Sequence, residues 1–155
     1  MTELGAGKRL WGACSAQEEE TYRAIIRDRV DNSPFYQHMG LQVTGLGRGW
    51  ATFEMAVDKR FWNVGGVVHG GAIMSIADAA AGVSLATLLD KGDRPVTIEG
   101  KLNFCSPVTE GVINARGEVV RKGRLIAICD VEVTEGDRLV AKGISTYMVV
   151  PPNAD

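Results

Sequence analysis

The stretch Asn63-Val-Gly-Gly-Val-Val-His69-Gly70-Gly71-Ala-Ile-Met-Ser-Ile-Ala-Asp78 decides how this chain is read. It runs from a glycine-rich loop into a segment, Gly70 to about Asp90, that is apolar or small at nearly every position. A helix apolar all round needs burial on all sides. Gly92 and Pro95 stop it. The segment is long enough to raise the question of membrane crossing. Asp78 sits at its centre, where a lone carboxylate is costly in a bilayer. The expectation is a buried helix in a water-soluble protein, with no membrane partner.

Outward from that helix the sequence reads as strands. Leu41 to Leu46 and Trp50 to Val57 flank the turn Gly47-Arg48-Gly49, with Ala51, Phe53, Met55 and Val57 on one face. After the helix, Val96 to Cys105 alternates. Val96, Ile98, Leu102 and Phe104 share one face, and Thr97, Glu99, Lys101 and Asn103 the other. Val112 to Val120, Leu125 to Thr134 and Leu139 to Val150 follow, joined by Arg121-Lys122-Gly123-Arg124 and Glu135-Gly136-Asp137. Such short connections make an antiparallel meander. The fold class is therefore α+β: a long antiparallel sheet wrapped around one central apolar helix. Surfaces this arrangement leaves uncovered call for a second copy of the chain, so a homo-oligomer is expected.

The N-terminal part adds one more element. Residues 1–14 read as a flexible lead without the apolar run of a signal peptide. Ser15 with Glu18 forms a capping box, and an extra amphipathic helix runs to about Val30, ended by Asp31-Asn32-Ser33-Pro34. Residues 15–39 form this helix and its connection, 40–150 the main domain, and 151–155 a tail.

Composition narrows the function classes. The 155 residues, 45% hydrophobic and 23% charged, suit one globular domain. A net charge near −2 gives no argument for nucleic acid. Cys14, Cys105 and Cys129 are too scattered for a disulfide framework, and with only His38 and His69 no metal site is expected. A reducing, cytoplasmic location follows as an expectation.

Three features of the opening stretch point to chemistry. Gly70 and Gly71 begin a helix whose first N–H groups lack intrahelical partners, a ready site for an anion or a polarised carbonyl. Asp78, two turns in, is an acid that must be paired or face a cavity. Asn63 and His69 precede the helix, within reach of the same opening. Each has a plainer reading. Gly-Gly makes entry turns, histidines and buried acids serve structure, and asparagine forms loops. Their coincidence in one window favours a site. Arg121, Lys122, Gly123 and Arg124 form a basic hairpin, either a solvated turn or a phosphate contact.

The spacing Asn63, His69-Gly70-Gly71, Asp78 resembles the signature of the phenylacetate-pathway type of hotdog thioesterases, a family that includes the thioesterase superfamily member 2 group. The likeness runs from about Gly40 to Val150 and extends to Val96-Thr97-Ile98-Glu99, Phe104-Cys105-Ser106-Pro107 and Leu139-Val140-Ala141-Lys142-Gly143. It implies a hotdog fold and hydrolysis of an acyl- or aryl-CoA. In that role Asp78 acts as base or nucleophile, and Gly70 N–H polarises the carbonyl. Asn63 orients substrate or water, His69 lies near the sulfur, and Thr97 positions water where many relatives have serine. Gly71 and the hairpin residues Arg121, Lys122, Gly123 and Arg124 would bind substrate. No cofactor is implied, because coenzyme A belongs to the substrate. A homodimer would be the minimal active unit within a homotetramer, with Asp78 and Thr97 of one subunit facing Asn63, His69 and Gly70 of the other. The rivals are a hotdog hydratase or dehydratase and a non-catalytic acyl-CoA binder.

Overall fold

The computed structural model describes residues 10–152; the rest of the expected lead and of the tail lie outside them. Its main element is a helix, α3 (Gly70–Ala86), with eleven of its residues buried. A six-stranded, wholly antiparallel sheet curls about it: β1 (Leu41–Gly47), β2 (Trp50–Ala56), β3 (Arg94–Phe104), β4 (Val112–Lys122), β5 (Ile126–Glu135) and β6 (Arg138–Val150). The strand order is β1-β2-β4-β5-β6-β3, so the chain crosses from β2 through α3 to the far edge before returning to β4. This is the expected class.

Period-2 patterning builds the inner face. Phe53, Met55, Ile113 and Val131 are fully buried against α3, while Arg116 and Glu118 face outward. Contact with the helix is closest at Gly117. A Cβ there would lie 2.5 Å from the carbonyl carbon of Ala80 and 2.6 Å from the amide of Ala81. Alanines on the helix and glycine on the strand are what let backbone meet backbone.

α3 is shorter than the apolar run suggested. It ends at Ala86, with Thr87 as C-cap, and the rest of the run to Asp90 is irregular. Thr87 Oγ1 accepts from Gly49 N–H at 2.7 Å, tying the helix end to the β1–β2 turn.

The expected capping box is present at the N-terminal helix α1 (Ala16–Ile25). The continuation Ile26–Asp31 is a wider π-helical turn, and Ser33-Pro34 opens a further helix, α2 (Pro34–Met39). The described part of the lead is anchored. Leu46 N–H donates to Leu10 O at 2.8 Å, and Trp11 packs on Tyr22 with Arg23 over its ring. These segments add Ile25, Ile26 and Val30 to the core.

The strict alternation expected along β3 does not hold. Thr97 pairs with Tyr147 and Glu99 with Thr146, so Ile98 is a bulge residue without a partner. The bulge reverses the phase: Thr97 joins Leu102 on the helix side instead of Glu99 and Lys101. β3 is also an open edge. Val96, Ile98 and Phe104 are 47%, 53% and 54% exposed there.

No helix among the described residues is long and apolar enough to cross a membrane.

Candidate active site

The sequence-nominated residues fall into two groups at different heights along α3. The first surrounds the helix start. His69 is the N-cap, its Nδ1 accepting from Gly71 N–H at 2.8 Å. An accepting Nδ1 is unprotonated, so a neutral ring carries its proton on Nε2. Gly70 N–H finds no acceptor among the described residues. The alternative donor at this terminus, Gly71 N–H, is consumed by the cap.

Asn63 shapes the adjoining loop. Its Oδ1 accepts from Gly65 N–H at 2.8 Å and, at the limit of bonding, from Val67 N–H at 3.5 Å. Its backbone N–H donates to Val67 O, closing the turn. With Oδ1 held inside the loop, the amide nitrogen is the outward end. Asn63 and Gly70 line one cleft of about 340 Å³, together with Ile73 and the run Phe104 to Pro107.

The second group is two turns up the helix. Asp78 Oδ1 accepts from Thr97 Oγ1 at 3.0 Å and from the Tyr147 hydroxyl at 2.7 Å. That hydroxyl also stands 3.0 Å from the backbone carbonyl of Asp78. The bulge at Ile98 is what turns Thr97 inward, and register places Tyr147 directly opposite it. Asp78 is half-buried, and its Oδ2 has no donor among the described residues. Burial, then the neighbouring carboxylate, drives the Tyr147 hydroxyl far above the ordinary phenol range, so it stays a donor.

Gly70 and Asp78 are eight residues apart on the helix, about 12 Å at 1.5 Å per residue. Within one chain Asp78 and Gly70 N–H do not meet on a single carbonyl. Arg121, Lys122 and Arg124 belong to neither group. They are exposed at the β4–β5 hairpin, whose turn closes through Gly123 N–H to Ile126 O at 2.8 Å. Val119 N–H to Gly49 O places this hairpin beside the C-terminal end of α3.

Tyr147 was not among the residues nominated from sequence. The available signal was its place on an inward row with Ser145 and Val149, where a buried phenol needs a partner. The cleft walls Phe104 and Cys105 were likewise read only as strand. No group of three or more metal-ligating side chains exists among the described residues.

Comparison with known proteins agrees with the architecture. Residues 65–142 match the family model of the thioesterase superfamily. A Saccharolobus solfataricus protein whose name proposes an esterase is 34% identical over 133 residues, 85% of this chain and 94% of the relative. A thioesterase family protein from Silicibacter pomeroyi superimposes with a TM-score of 0.78 at 25% identity, over 84% of this chain and 98% of that one. A variant of the phenylacetic acid degradation protein PaaI from Thermus thermophilus gives 0.71 at 26% identity, over 76% and 100%.

Proposed function

This chain belongs to the thioesterase superfamily and is a thioester hydrolase, and from that premise we propose that it cleaves an acyl- or aryl-coenzyme A with Asp78 as the catalytic carboxylate. The observation that carries the reading is the state of that carboxylate. One oxygen is held by two hydroxyl donors and the other is left to react.

The proposed reaction balances simply. Water adds to the thioester carbon while Asp78 Oδ2 takes its proton, and Gly70 N–H holds the developing oxyanion. The C–S bond then breaks, and thiolate leaves with the returned proton, giving acid and free coenzyme A. Direct attack by Asp78 followed by hydrolysis of the anhydride gives the same products. General-base assistance supplies about 10²–10⁴ in rate and one oxyanion donor about 10²–10³. His69 Nε2–H is a donor for the departing sulfur, and the Asn63 amide orients substrate or water. Arg121, Lys122 and Arg124 offer phosphate contacts at the nucleotide end.

The separation of about 12 Å along α3 requires two chains. A second copy paired antiparallel along the open β3 edge would bring its Gly70 and Asn63 to Asp78 and Thr97, and would cover Ile98 and Phe104. A homodimer is thus the proposed minimal active unit.

The test is a panel of acetyl-, hexanoyl-, palmitoyl- and phenylacetyl-CoA with free thiol as readout. Thiol release supports the proposal. Hydration of an enoyl-CoA without thiol release would replace it with a hydratase, and tight binding without turnover with a carrier.

A further inference from the structure

We propose that Tyr147 is a positioning residue for the reaction: it clamps Asp78 so that Oδ2 alone faces the substrate. The proposal rests on reading Asp78 as the catalytic carboxylate and goes beyond it by saying which oxygen reacts and what selects it.

The geometry is specific to one residue. The Tyr147 hydroxyl reaches both the side chain and the main chain of Asp78, at 2.7 Å from Oδ1 and 3.0 Å from the carbonyl oxygen. Its single proton goes to the shorter, charge-assisted bond. With that proton directed to Oδ1 and Thr97 donating to the same oxygen, the side-chain torsions of Asp78 are fixed. The tyrosine is itself immobile: 2% exposed, on a strand paired on both sides, with its ring against Gly82 one turn beyond Asp78. Thr97, directly across the β6–β3 ladder, donates to the same oxygen. Two donors converging on Oδ1 stabilise the ionised carboxylate and occupy one side of it. A free carboxylate rotates and offers either oxygen; this one does not.

A purely structural tyrosine would pack equally well and leave the chemistry of Asp78 untouched, so the test reads that chemistry. Wild type and Tyr147→Phe are compared in full-length protein by kcat and KM against pH, using the fastest member of the CoA panel. The Asp78 carboxyl is also followed by ¹³C resonance, which needs no substrate. The expected result is a fall in kcat of about ten- to a hundredfold with little change in KM. The acid limb of kcat/KM and the ¹³C titration both move to higher pH, because a donor to the charged form is gone. Incorporating 3-fluorotyrosine at position 147 keeps ring and hydroxyl in place and strengthens the donor, so the acid limb moves the opposite way. That variant keeps the test open should phenylalanine impair folding. A Tyr147→Phe enzyme with an unmoved acid limb and ¹³C titration overturns the role of Tyr147 alone. A wild-type protein that turns over no panel member overturns the underlying acyl-CoA reading, and the positioning role of Tyr147 with it.

Discussion

Gly117→Ala tests whether activity depends on the seating of α3 against the sheet. A Cβ at Gly117 would sit 2.5 Å from Ala80 C and O and 2.6 Å from Ala81 N. All three are backbone atoms, so no rotamer change relieves the contact. Ordinary contact begins near 3.4 Å, so helix and strand must part by roughly 1 Å locally. Overpacking of this kind costs about 1–3 kcal/mol, or a fall in Tm of roughly 3–10 °C for a chain this size. The larger effect falls on chemistry. Asp78 is two residues from Ala80 on the displaced helix, while its donors Thr97 and Tyr147 stay with β3 and β6. A misplacement near 1 Å costs about 10² in rate. Scanning calorimetry and thiol release measure the two effects on one preparation. A variant with wild-type Tm and wild-type kcat would mean that the close approach at Gly117 carries no constraint.

Two further outcomes follow from burial and from the open edge. All three tyrosines are raised above the ordinary phenol value of 10, Tyr36 to about 12, chiefly by burial. The fold favours their neutral forms, so this part of the stability is complete below about pH 10 and falls away as pH rises above it, the Tyr36 contribution being lost through about 12. Ultraviolet titration should show tyrosinate appearing together with loss of the circular dichroism signal; three phenols ionising near pH 10 in a folded protein would contradict this. Ile98→Lys places a charge on the exposed bulge of β3. Sedimentation should show a monomer that is folded and at least about a hundredfold less active, since burying an unpaired charge costs several kcal/mol. A monomer with full activity would remove the second chain from the mechanism.

What the sequence disclosed follows from how local each signal is. The start of α3 at Gly70 was legible because His69, paired glycines and an unbroken apolar run all act within one turn. Helix α2 was not. Ser33-Pro34 was read as a stop, yet a capping serine with proline at the first helical position is also a start. The bulge at Ile98 has no local mark; it arises from pairing with β6, a contact far along the chain. Tyr147 was hidden for the same reason, since its partner lies 69 residues away. Asn63, His69, Gly70 and Asp78 lie close in sequence and suggested a single opening. The rise of the helix from Gly70 to Asp78 separates them into two half-sites, the same division between subunits that the family resemblance implies.

Whether Asp78 performs the chemistry is decided by Asp78→Asn. The amide oxygen still accepts from Thr97 and Tyr147, so fold, Tm and oligomeric state should survive. Release of coenzyme A should fall by at least about 10²–10⁴. Wild-type turnover by a folded Asp78→Asn protein would remove Asp78 from the reaction.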